Sequence, residues 1–199
     1  APPEVTAPTL APGLTYNGAE QALLTNGGTA TGGNIMYSLD GGSTYSFNIP
    51  TAKDAGNYTI WYKAVASDEN HKDTAPALAG TVTIAQNTEK PSNATCSPNT
   101  VQYSGAAQTP AVDVLDSTGR PIPAEEYTVT VVDGPAINPG TYTASIKDNP
   151  GGNYEFSDTL TADFEIVTAS QNPLTITDKP VDVHYGDKFS LSAVGGSGS

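Results

Sequence analysis

The chain has 199 residues, 37% of them hydrophobic, with 20 glycines and 16 prolines; that length holds one large domain or two of about 100 residues, and the balance favours many short strands over long helices. A formal charge of −13, from 21 acidic and 8 basic residues, excludes partners bound by neutralising phosphates, nucleic acid first and anionic membrane surfaces second. No segment reaches the ~18 to 20 apolar residues that cross a bilayer.

The opening "APPEVTAPTL" has neither the basic start nor the apolar centre of a signal peptide, so the chain reads as a mature or excised fragment. Acidity is uneven, with seven acids and three bases in 1–86 against ten acids and two bases in 91–169. Cys96 is the single cysteine, so no disulfide forms within the chain and packing alone must hold it together. Its thiol reads as a small strand side chain or as a reactive group, the former being the ordinary role of a lone cysteine.

In chain order, "LTYNGAEQALL" (14–24) is an apolar start followed by a tyrosine–x–glycine turn. "NIMYSLDGGSTYSF" (34–47) predicts a hairpin around Asp40-Gly41-Gly42-Ser43. "DAGNYTIWYKA" (54–64) predicts a strand with Tyr58, Ile60, Tyr62 and Ala64 on one face and Thr59, Trp61 and Lys63 on the other. "ALAGTVTIAQ" (77–86) alternates again and closes the unit.

The same order then recurs. "VQYSGAAQTPAV" (101–112) repeats the first motif 87 residues on, "VDVLDSTGRPI" (112–122) turns at Asp116 to Gly119, and "YTVTVVDG" (127–134) adds a strand. "INPGTYTASIKD" (137–148) repeats 54–64 at an offset of 84, with Tyr142, Ala144 and Ile146 on one face, and "TLTADFEIVTA" (159–169) closes the second unit. Each glycine two residues before the tyrosine allows a tight strand entry. Tyr58 and Tyr142 are read as structural tyrosine corners, ring in the core and hydroxyl returned to nearby backbone. Turn signals every 8 to 12 residues and one apolar face per strand predict sheets packed in pairs.

The expected fold is all-β: tandem immunoglobulin-like β-sandwich domains, one over 1–86 and one over 94–169. The polar "NTEKPSN" (87–93) is the linker between them. Residues 170–199 hold a further linker and the truncated start of a third repeat, too short for a core of its own.

The order "LTYNG…YSLDGGSTYS…AGNYTIWYKAVASDENHKDTAPALAGTVTI", followed by "VQYSGAAQTPAVDV…EEYTVTVVDG…PGTYTASIKDNPGGNYEFSDTLTADFEI", resembles the tandem Ig-like repeats of large bacterial surface proteins common in gut Firmicutes. The resemblance spans essentially the whole chain. It implies a non-catalytic stalk, spacer or adhesive array, extracellular or on the bacterial cell surface. It further implies flanking Ig-like repeats in the full-length chain, and host or dietary glycans or surface proteins as candidate partners. It brings no catalytic residues and no cofactor.

The residues themselves agree with a non-enzymatic reading. His71 and His184 lie 113 residues apart, so no zinc or nucleophile constellation is visible. Glu125 and Glu126 are adjacent and point to opposite sides of an extended chain, which suits no acid–base pair. A Lys–Asn isopeptide cross-link lacks its early-strand lysine and last-strand asparagine. "SDENHKD" (67–73) and "KDNPGGN" (147–153) are oxygen-rich enough for calcium, yet match ordinary hairpin turns, and no metal ligands are assigned. The candidate ligand-binding residues are Trp61, on the polar face of its strand, with Tyr37 and Tyr45 beside it; the competing reading is cross-strand aromatic packing.

Overall fold

The computed structural model describes residues 2–88, 91–170 and 172–195. Among them the chain is all-β in several sheets, with one 3-10 turn at Ala124–Glu126 and no α-helix. It gathers into two compact units, one of Ala1–Ala94, Asp113–Thr128 and Ile146–Leu160, the other of Thr95–Val112, Val129–Ser145 and Thr161–Ser199.

The first unit opens with β1 (Glu4–Thr6), β2 (Thr9–Leu10), β3 (Leu14–Thr15), β4 (Gln21–Ala22) and β5 (Leu24–Asn26). After them come β6 (Thr29–Thr31), β7 (Gly33–Ser38), β8 (Thr51–Ala52), β9 (Gly56–Ala66) and β10 (Ala77–Ala85). A four-stranded sheet runs β3-β10-β9-β7, antiparallel except that β3 joins β10 in parallel. Three antiparallel pairs, β1 with β6, β2 with β5 and β4 with β8, complete this part of the unit.

Burial follows the predicted alternation. Ile60 and Ala64 of β9 are fully buried, as are Val82 and Ile84 of β10, and Leu23, Leu24 and Ile35 join them in the core. Tyr58 and Tyr62 share the inward face and are half-buried. Removing the isoleucine, leucine and valine side chains of this core from water contributes about 1.5–3 kcal/mol each, the main favourable term in a chain without staples. Packing is close at Gly80, whose φ of +138° favours glycine. A Cβ there would lie 2.7 Å from Leu10 Cδ1 of β2.

β7 is the first arm of the predicted hairpin. The returning arm meets it only at Tyr37 and Ser46, through two backbone hydrogen bonds of 2.8 and 2.9 Å. The intervening loop is wound around Asp40. Its Oδ1 accepts from Ser38 Oγ, Ser43 N and Thr44 N, and its Oδ2 accepts from Thr44 Oγ1 at 2.6 Å.

The later strands are β11 (Asn93–Cys96), β12 (Thr100–Gln102), β13 (Val112–Leu115), β14 (Pro121–Ile122), β15 (Tyr127–Val131), β16 (Gly140–Asp148) and β17 (Leu160–Val167). They form a three-stranded sheet, β11-β13-β14, and a four-stranded sheet, β12-β17-β16-β15. The predicted turn is present: Asp116 N donates to Arg120 O and Gly119 N to Asp116 O, between the antiparallel β13 and β14. Ala144, Ile146, Phe164 and Ile166 are buried.

Local geometry repeats at the spacing read from the sequence. β3 and β12 are each parallel to the strand that closes their repeat, β10 and β17. Tyr16 N donates to Ala85 O, and Tyr103 N to Val167 O, both at 2.8 Å. Gln21 Nε2 reaches Thr15 O, and Gln108 Nε2 reaches Gln102 O, both at 3.1 Å. Near the end of the chain, β18 (Thr175–Ile176) and β19 (Ala193–Val194) pair with each other, and every described residue from 172 to 195 is exposed.

Candidate functional site

The outer face of the β3-β10-β9-β7 sheet carries a short row of large side chains. Cross-strand register sets Met36 opposite Lys63, and Ser38 opposite Trp61, with Leu78 on Trp61's other side. Trp61 is half-buried and Leu78 is 55% exposed. Further along the same face the row becomes polar, with Thr59 and Thr81 hydroxyls 3.1 Å apart and Thr83 Oγ1 donating to Asn57 Oδ1 at 2.6 Å. Cross-strand pairs of this kind stabilise a sheet, and the large ones also offer contact area.

The structure separates Tyr37 from Trp61 and places Tyr45 against Lys63, a residue of Trp61's own face. Tyr37 pairs with Tyr62, an inward residue, so period-two alternation turns its ring to the core, and its hydroxyl donates to Gly27 O at 2.6 Å. Burial raises its pKa above the usual phenol value. Tyr45 lies beneath Lys63, whose Nζ is 4.7 Å from the ring centroid. Its hydroxyl is buried with no hydrogen-bond partner among the described residues. Trp61 alone keeps an indole on the sheet surface.

Tyr58 and Tyr142 behave alike. Each is half-buried, and each hydroxyl donates to the carbonyl four residues earlier, Tyr58 to Asp54 at 2.7 Å and Tyr142 to Asn138 at 2.8 Å. Tyr142 also stacks on Phe164 with centroids 5.7 Å apart. Cys96 is buried, and burial pushes its thiol pKa up, the direction seen for a structural cysteine.

The two oxygen-rich loops spend their side chains on the protein itself. Asp68 Oδ1 accepts from the backbone of Asn70 and His71, and lies 2.8 Å from His71 Nδ1. Those bonds, the His71 side chain's first, hold its carboxyl below the usual range. In the second loop, Asn149 accepts from Thr128 Oγ1 and donates to Glu125 O. Among the described residues no three of His, Cys, Asp and Glu converge.

Asn153 is the hub that the sequence reading missed. Inside the first compact unit its backbone N–H donates to Glu126 Oε2 at 2.7 Å, and its Nδ2 donates to Glu126 Oε1 at 2.8 Å and Asp54 Oδ1 at 3.2 Å. Its Oδ1 accepts from Ala55 N at 2.7 Å, and its carbonyl accepts from Asn87 N at 2.8 Å. Beside it, Gln86 Nε2 donates to Gly152 O, and Glu155 N donates to Asn87 O. Glu126 is only 6% exposed, so a buried carboxylate is satisfied by an amide. A Cβ at Gly152 would stand 2.9 Å from Glu126 Oε2 and push that carboxylate aside. Only the adjacent Glu125-Glu126 and the polar 147–153 stretch were visible in sequence, and neither names a partner 27 or 99 residues away.

No protein-family model matches the chain, and comparison with curated proteins finds no match.

Proposed function

We propose that this chain is a non-catalytic repeat region, tandem and Ig-like, that acts as a stalk or spacer in a secreted or surface-exposed bacterial protein. The observation that carries this reading is the Asn153 network. It ties Asp54 and Ala55 of the first sequence repeat, and Asn87 of the linker, to Glu126 and Asn153 of the second. A spacer needs joints that hold their geometry, and polar contacts onto residues 152–155, with the buried Glu126 carboxylate behind Asn153, supply that without a disulfide. The duplicated glutamine and tyrosine bonds support a tandem origin. Nitrogen-15 relaxation on the full chain tests it: residues 2–86 and 94–169 are expected to share one correlation time, and separate values overturn the spacer reading.

A second reading is favoured by the Trp61, Leu78 and Met36 row on an otherwise polar sheet face: a carbohydrate-binding surface on which the indole stacks against a sugar ring. Glycan-array retention that Trp61→Ala abolishes is the expected result, and equal retention by both proteins removes Trp61 from any such role.

A further inference from the structure

A second place on the first compact unit has the chemistry of a ligand site, away from the Trp61 face. A cleft of about 310 Å³ lies between two turns and is lined chiefly by Tyr16, Asn17, Asp116, Thr118, Arg120 and Tyr154. Its floor is rigid. The Tyr16 and Tyr154 rings meet edge to face, centroids 5.4 Å apart at 73°, and both residues are less than 10% exposed. Neither hydroxyl has a protein hydrogen bond among the described residues, and neither is sealed from solvent. Tyr103, the counterpart of Tyr16 by the 87-residue offset, is 40% exposed, so this floor belongs to the first repeat's turn alone.

The wall is a donor and an acceptor side by side. Asp116 Oδ1 takes all three bonds of its own turn, from Thr118 N at 2.8 Å, Thr118 Oγ1 at 2.7 Å and Arg120 N at 2.8 Å. Its Oδ2 has no protein donor among the described residues. Arg120 is the sole arginine of the chain, and its guanidinium makes no ion pair among the described residues.

Charge narrows the ligand. An anion entering the cleft meets the Asp116 carboxylate of its wall. A cation meets Arg120. What suits both is an uncharged molecule whose neighbouring groups donate and accept, as the hydroxyls of a sugar do.

We propose that this cleft binds a neutral saccharide, with Asp116 and Arg120 gripping adjacent hydroxyls and the Tyr16 and Tyr154 hydroxyls completing the set. Amide NMR titration of the whole chain with galactose, glucose, N-acetylglucosamine and glucuronate tests this. At least one neutral sugar is expected to shift Asn17, Gly18, Thr118 and Gly119, with glucuronate binding about tenfold more weakly or not at all. Arg120→Ala and Tyr154→Phe should each weaken binding about tenfold with other amides unmoved. No shift at these amides up to about 50 mM sugar, which is weaker than any useful pocket, overturns the proposal. So does tighter binding of glucuronate, or binding unchanged by Arg120→Ala. Shifts around Trp61 instead would overturn it while favouring the sheet-face reading, and the spacer reading stands or falls on the relaxation data alone.

Discussion

Asn153 meets Glu126 twice, backbone N–H to Oε2 at 2.7 Å and side-chain Nδ2 to Oε1 at 2.8 Å, so one asparagine engages both oxygens of a buried carboxylate. Asn153→Ala keeps the backbone bond but removes the side-chain donor and the acceptor for Ala55 N. Leaving a buried charged group short of a donor costs about 2–3 kcal/mol. Urea unfolding is expected to show that loss, with the relaxation-derived correlation times of 2–86 and 94–169 moving apart. A loss under about 0.5 kcal/mol would show that the network carries no load.

Two tyrosines eight positions apart should respond with opposite sign to the same substitution. Tyr37→Phe removes the 2.6 Å bond to Gly27 O and leaves that carbonyl short of a donor, a cost of about 1 kcal/mol. Tyr45→Phe removes a buried hydroxyl that has no hydrogen-bond partner among the described residues, so it is expected to be neutral or to stabilise by up to about 1–2 kcal/mol. Thermal melts of the two variants decide it.

Tyr58→Phe and Tyr142→Phe each delete one bond to the carbonyl four residues back. Both sites have the same strand entry and similar burial, so both are expected to lose about 0.5–1.5 kcal/mol. Calorimetry on each variant checks the match, and a large effect at one site only would count against equivalent repeats.

The loop at Asp40 makes an acid-sensitive contribution. Bonds from the Ser38 and Thr44 hydroxyls, with backbone N–H groups behind them, hold the Asp40 carboxyl well below the usual carboxylate range. A folded pKa below the unfolded one means the contribution is complete above the unfolded value near 4 and is lost as pH falls through the folded value. The wild type is therefore expected to melt lower at pH 3 than at pH 7 by a margin that Asp40→Asn reduces. An unchanged margin would show that other carboxylates, Asp68 and Asp116 among them, account for the acid limb.

The all-β class, the inward set of β9 and the turn at Asp116 were legible in the sequence because each depends on neighbours within a few residues. Alternation names the face of Ile60, and an Asp-x-x-Gly turn names itself. Even the tyrosine pair could be matched by its glycine and its spacing. The side of the sheet that Tyr37 would occupy needed cross-strand register, since a shift of one residue exchanges the faces.

What only the tertiary structure decided is where distant polar groups meet. Asn153 reads as one more turn residue until Glu126 and Asp54 are brought to it, and Arg120 reads as a turn exit until Tyr154 and Tyr16 form the floor beside it. Strand patterning reports burial, which is a property of each residue's own face. Hydrogen-bond partnership is a property of two residues at once, and chain folding alone sets the distance between them.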